Sequence, residues 1–199
     1  MAFNFRDAAA AMIGIVLSGT ASFAQPGFTR HSIAVAQDGI TDVHVTDIDN
    51  DGDADILSSS RGAVSDVTLW INNGAGGFFE LELTSPFIVN GGVAAVYSGD
   101  LNNDGNLDIM CAAENDARVI YWLHDGEYRF TSRTLTFTVV TDGPNDVHAA
   151  DYDGDGLLDV VACAADINTL RLWRNDGDES FSGLTISDNL RGAASAMFT

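Results

Sequence analysis

The chain has 199 residues, 29 acidic against 9 basic side chains, a formal net charge of −20 and 46% hydrophobic residues, the composition of a folded, strongly acidic protein. That charge balance excludes a basic nucleic-acid surface and opposes docking on DNA, RNA or anionic membranes, while favouring solubility.

Residues 1–24 read as a secretory signal. Arg6 precedes an apolar stretch from Ala8 to Leu17, and Ser22-Phe23-Ala24 offers a small-residue cleavage site before Gln25. Asp7 offsets Arg6, so an amphipathic or buried amino-terminal helix is the competing reading. The stretch is short for a membrane span, and no Cys follows the site to carry a lipid. The expectation is a secreted or periplasmic protein with no membrane insertion after signal removal, and a mature region, 25–199, built from repeats. Phe28 to Ile33 has the pattern of an outer strand closing an earlier repeat.

From Gly39 a unit of about fifty residues recurs, with bounds near 39–90, 91–142 and 143–191 and the start of a fourth at 192–199. Each unit opens on a Gly (Gly39, Gly92, Gly143), followed five residues later by His44, Tyr97 or His148. An acidic loop comes next: DIDNDGDAD from Asp47, DLNNDGNLD from Asp100, DYDGDGLLD from Asp151. An apolar stretch follows, then a strand carrying Trp70, Trp122 or Trp173, a turn (NNG at 72–74, HDG at 124–126, NDG at 175–177) and Phe78, Phe130 or Phe181. Such turns tolerate the positive backbone angles of tight hairpins, so each unit reads as about four short strands. Apolar residues on both faces, as in Val119-Ile120-Tyr121-Trp122-Leu123, suit a sheet sandwiched between two others, which is the environment of a propeller blade. The fold class expected is all-β, with about three blades and partial blades at both ends. Three blades fall short of the four to eight that close a propeller, so the expectation is either a fragment of a larger propeller or self-association that completes one.

Asp or Asn at loop positions 1, 3 and 5, Gly at 6 and Asp at 9 place oxygen donors around a tight turn, the way a backbone wraps a hard cation. Like charges so close together repel unless a divalent ion holds them. In the first loop Asp47, Asp49, Asp51 and Asp55 offer carboxylates and Asp53 its backbone carbonyl. In the second, Asp100, Asp104 and Asp108 are joined by Asn102 and Asn106, and weaker binding is expected. In the third, Asp151, Asp153, Asp155 and Asp159 are joined by the Leu157 carbonyl. Calcium, up to three ions, suits these sets better than magnesium, which keeps its waters. The competing reading is a set of solvated acidic turns, against which the triplication argues. An EF-hand is excluded, because loop position 12 is Ser58, Cys111 or Ala162 in place of a bidentate Glu.

No G-x-S-x-G, H-E-x-x-H or phosphate loop is present, and no catalytic residue is assigned. His44 and His148, with Tyr97 between them in register and Met197 at the fourth position, could face a central channel for metal or proton chemistry; half-buried polar side chains holding strand ends are the favoured alternative. The three Trp residues read as blade-to-blade packing in preference to sugar platforms. Glu80 and Glu82 alternate on a strand and read as water-facing. Cys111 and Cys163 follow their loops at offsets that differ by one residue, which turns them to opposite faces and argues for buried packing over a disulfide.

The pattern D-x-D-x-D-G-x-x-D, apolar strand, W-x-N-D-G and Phe resembles the FG-GAP or VCBS-type repeat over roughly Phe28 to Thr199. That family includes calcium-bearing blades of integrin alpha subunits and many secreted bacterial proteins. The resemblance implies a β-propeller with calcium in the hairpin between neighbouring strands. Asn102, Asn106 and His124 depart from the pattern. The function expected is a secreted calcium-binding module, calcium being structural, that binds a protein or glycan without catalysis. The alternative is the propeller part of a secreted polysaccharide lyase or hydrolase.

Overall fold

The apolar stretches between acidic loops and Asn/Gly turns become strands, because β-branched and aromatic side chains pack on a pleated surface while the turns reverse the chain. A computed structural model describes residues 32–33, 38–62, 67–88, 91–136, 143–165 and 167–190. The signal expected at 1–24 and the fourth repeat expected at 192–199, with Met197, lie outside the described residues. Of the outer strand expected at 28–33, only Ser32 and Ile33 are described, and neither is in a strand.

Among the described residues, twelve strands form three four-stranded antiparallel sheets, each a simple meander. Blade one is β1 (Ile40–Thr46), β2 (Asp55–Ser60), β3 (Val67–Asn72) and β4 (Phe78–Glu82). Blade two is β5 (Val93–Gly99), β6 (Asp108–Ala113), β7 (Arg118–His124) and β8 (Phe130–Thr136), with a 3-10 turn at Glu114–Asp116. Blade three is β9 (Asp146–Ala150), β10 (Asp159–Ala164), β11 (Thr169–Gly177) and β12 (Ser180–Ser187). The fold is all-β and its sheets have the form of propeller blades; ring closure is not seen among the described residues.

Period-2 alternation in the middle blade makes two cores from one sheet. Ile109, Cys111, Ala113, Ile120 and Trp122 face blade one, against Leu57, Val67 and Leu69. Met110, Ala112, Val119 and Tyr121 face blade three, against Val160, Ala162 and Trp173. All six residues of β6 are buried, as are all six of β10. A fully buried apolar side chain contributes roughly 1.5–3 kcal/mol, so these two interfaces hold the blades together. Trp122 and Trp173 each pack toward the preceding blade, and the Trp122 indole donates to the Thr84 carbonyl at 3.0 Å. Phe181 meets Tyr121 edge-on at 5.7 Å.

The inner strands are stitched by side chains. Thr41 donates to the Val93 carbonyl at 2.7 Å, the Val96 amide donates to Asp42 at 3.0 Å, and His44 Nε2 shares a hydrogen bond with Ser98 at 3.0 Å. Asn175 crosses the next junction, donating to the Leu101 carbonyl at 2.7 Å. Ion pairs Arg61 with Glu114 and Arg133 with Glu179 bridge the same two junctions. Cys111 faces blade one and Cys163 packs with Val161 and Leu172 on the opposite kind of face; both are buried and neither is in a disulfide. Glu80 and Glu82 are exposed on β4.

Candidate metal centres

Each acidic loop joins the innermost strand of a blade to the second, and the three have one backbone. Position 4 is left-handed in all of them: Asn50 at φ 58°, Asn103 at 56° and Gly154 at 81°. Position 6 is Gly52, Gly105 or Gly156 at φ 94°, 90° and 90°. Nothing lies within 4 Å of where a Cβ would sit on these three glycines, so backbone angle and not crowding requires them.

Hydrogen bonds from the loop to its own acids explain the shared shape. The amide of position 5 donates to the position 1 carboxylate, at 3.1 Å to Asp47, 3.1 Å to Asp100 and 3.2 Å to Asp151. The glycine amide of position 6 donates to the other oxygen of the same side chain at 3.0, 2.9 and 2.9 Å. The amide of position 7 donates to position 5, at 2.8 Å to Asp51, 2.8 Å to Asp104 and 2.9 Å to Asp155. The position 7 side chains of Asp53, Asn106 and Leu157 lie over the turn glycines Gly74, Gly126 and Gly177. That placement leaves the backbone carbonyl as the group position 7 could offer an ion.

Position 9 has a second role that its spacing did not reveal. Asp55, Asp108 and Asp159 are fully buried, and each spends one oxygen on the loop and one on the far strand. Asp55 accepts from Ile48 at 2.9 Å and Asn72 at 2.7 Å. Asp108 accepts from Leu101 and His124, both at 2.8 Å. Asp159 accepts from Tyr152 at 2.8 Å and Asn175 at 2.7 Å. This carboxylate therefore fastens three strand ends to one another, with lone pairs left for an ion. Burial pushes Asp55 up from the ordinary carboxylate range and Asp108 up to about 6, the neighbouring acids adding to it and two amide donors opposing it.

Oxygens converge in two loops. Asp47, Asp49 and Asp55 bring one carboxylate oxygen each within 4.8 Å of one another, and so do Asp151, Asp153 and Asp159. Asp51 and Asp155, at position 5, are not part of these triads. In the second loop Asn102 stands where the others carry Asp, and its amide is turned inward, donating to Asp104 at 3.0 Å. Asn106 also donates to Asp104 at 3.0 Å. Burial raises the Asp104 carboxyl, but the donors from Asn106 and Asn102 outweigh it and hold the group below its usual range. Asn102 Oδ1 still accepts the position 5 amide at 3.1 Å, as Asp49 and Asp153 do, so loop two differs by one charge at position 3 and by the two amide donors on Asp104.

His44, Tyr97 and His148 form a row along the inner strands, each ring pair 4.8 Å apart between centroids. All three are half-buried. Desolvation holds His44 below the usual imidazole range, opposed by Asp42 and aided by His148. His124, in place of the turn Asn, is buried, stacks on Phe130 at 4.6 Å and accepts the Tyr128 amide at 3.2 Å. Asn72 and Asn175 instead donate to the Ala54 and Leu158 carbonyls at 3.1 Å each.

Compared with known families, residues 47–111 and 100–162 match the FG-GAP-like repeat, together more than half of the chain. Among curated proteins no sequence matches this one.

Proposed function

The chain belongs to the FG-GAP-like repeat family, and from that premise we propose that it is an extracytoplasmic, calcium-stabilised β-propeller module that binds a protein or glycan without catalysis. The observation that carries this reading is the convergence of three carboxylate oxygens within 4.8 Å at equivalent places in blades one and three. Ligand oxygens about 2.4 Å from a calcium ion stand up to about 4.8 Å apart, so the triads fit its shell. Asp47, Asp49 and Asp55 would hold an ion in the first loop, with Asp51 and the Asp53 carbonyl completing the set. Asp151, Asp153 and Asp159 would do so in the third, with Asp155 and the Leu157 carbonyl. An ion there would neutralise the crowded acids and fix the entry to the second strand of each blade.

The remaining negative charge makes nucleic acid an unsuitable partner. Self-association through unpaired blade faces is a further part of the proposal: Val43 and Val45 on β1 are 55% and 61% exposed. The test is binding of the full chain to immobilised neutral and acidic polysaccharides and to extracellular proteins, in calcium and in chelator. Capture that needs calcium and leaves the ligand intact supports a module. A second reading, the propeller part of a polysaccharide lyase or hydrolase, has the His44, Tyr97 and His148 row in its favour. Turnover of an acidic polysaccharide, lost in His44→Ala or His148→Ala with folding intact, would establish that reading instead.

A further inference from the structure

The hairpin of blade two reaches back to the loop of blade one. Tyr128, between β7 and β8, donates its hydroxyl to the Asp49 carboxylate, a bond between residues 79 apart in sequence. Asp49 is one of the three converging acids of the first loop. We propose that Tyr128 is a positioning residue of that loop, holding the Asp49 carboxylate from across the blade junction and thereby raising the loop's affinity for its ion. The inference rests on the reading of the loop as a calcium site.

Three observations carry it. First, the backbone is kept in a conformation that a tyrosine does not choose. Tyr128 has φ 55°, and the equivalent residues of the other hairpins are Gly76 at 86° and Glu179 at 57°. The left-handed angle belongs to the hairpin, since Glu179 shares it, and glycine is the residue it favours; blade two places a tyrosine there instead. Blade one, with no preceding blade among the described residues, uses glycine there.

Second, the tyrosine is itself held. The buried His124 accepts its amide, and the two rings lie 6.1 Å apart. The departure of His124 from the turn Asn thus coincides with the one hairpin that carries Tyr128. The Asp49 oxygens are then each taken by one donor, Oδ1 by the Asp51 amide at 3.2 Å and Oδ2 by the tyrosine, which fixes the carboxylate plane and leaves lone pairs on both.

Third, the next junction lacks the device. Glu179 stands at the tyrosine's place but pairs with Arg133 at 3.2 Å. A cavity of about 250 Å³ remains between it and Asn102, Leu101 and Asn175. The carboxylate at position 3 and the reaching tyrosine occur together at the first junction and are both absent at the second.

The test is a calcium chloride titration of the full chain and of Tyr128→Phe, followed by NMR through the amides of Gly52, Gly105 and Gly156, one in each loop. The substitution keeps the ring and removes only the hydroxyl. Loss of an outer partner of a ligand lowers metal affinity by about 10- to 100-fold, so the Gly52 midpoint should rise by at least about 10-fold while Gly105 and Gly156 titrate as in the parent. A second variant, Tyr128→Gly, matches Gly76 and relieves the backbone; it should lose the same affinity at Gly52. An unchanged or lower Gly52 midpoint in Tyr128→Phe would overturn the positioning role while leaving the calcium reading in place. A parent protein whose Gly52 amide ignores calcium would overturn both.

Discussion

Loop one and loop two have the same length, the same left-handed position 4, the same glycine at 6 and the same buried aspartate at 9, yet they differ in what they leave open. In loop one three carboxylate oxygens converge and a tyrosine from the next blade steadies one of them. In loop two Asn102 and Asn106 turn their amides onto Asp104. The difference separates two jobs that the motif combines. Shape comes from amide-to-carboxylate bonds and the glycine, which any of the three loops can make. On the proposed calcium reading, capacity for an ion comes from the charge at position 3, where loop two has Asn102 in place of Asp.

If shape is independent of charge, removing the position 9 carboxylate should cost the same everywhere. Asp108→Ala and Asp55→Ala each leave two amides without acceptors, and each should lower stability by about 3–5 kcal/mol in urea unfolding under chelator. A much smaller loss in loop two would break the equivalence. Acidity gives the next largest effect. Asp108 titrates at about 6 in the folded protein against 3.8 ordinarily, so folding favours its protonated form. That contribution is complete below about pH 4 and is lost as the pH rises through about 6, up to about 3 kcal/mol in chelator. Unfolding midpoints measured from pH 4 to 7 in the parent and in Asp108→Asn should show a smaller decline in the variant, the remainder including Asp55, whose carboxyl is also raised by burial.

Gly105→Ala and Gly52→Ala sharpen the same point, since both sites are sterically open and only the angle resists. Each should cost about 1–2 kcal/mol, equal within error, by thermal unfolding in chelator. The smallest effect concerns capacity itself. Asn102→Asp supplies the missing carboxylate, and Asp49→Asn removes its counterpart. The first should tighten calcium at Gly105 and the second weaken it at Gly52, each by roughly 10-fold or about 1.4 kcal/mol, in site-resolved titrations.

The blade plan was legible because its signals are local and repeated: Asn-Gly and Asp-Gly turns, period-2 apolar runs, and a tryptophan at one register position that packs toward the preceding blade at Trp122 and Trp173. The sandwiched middle sheet was legible too, from apolar residues on both faces of Val119 to Leu123. Parity alone foretold that Cys111 and Cys163 would part. What escaped the sequence depends on contacts between distant segments. Asp55, Asp108 and Asp159 read as ligands, and nothing in their spacing tells that one oxygen meets an amide of the loop and the other an amide of the far strand. Asn50, Asn103 and Gly154 share a left-handed angle that only the three loops superposed make plain, although Asn and Gly are the residues that tolerate it. Tyr128 was invisible because its partner lies one blade away; its only sequence signal is a tyrosine where blade one has Gly76. His124 read as a departure in the turn, and its use as an acceptor for Tyr128 emerges only in three dimensions.

Thermal unfolding of the chain in millimolar calcium, in chelator and in millimolar magnesium decides whether the loops bind calcium in the folded protein. Binding to the folded state alone adds about 2.7 kcal/mol per site at a hundredfold excess over the dissociation constant, so two competent loops should raise the melting temperature by many degrees in calcium. Magnesium should give little of that rise. Equal melting temperatures in calcium and in chelator would contradict the account, and would leave the three loops as acidic turns held only by their own hydrogen bonds.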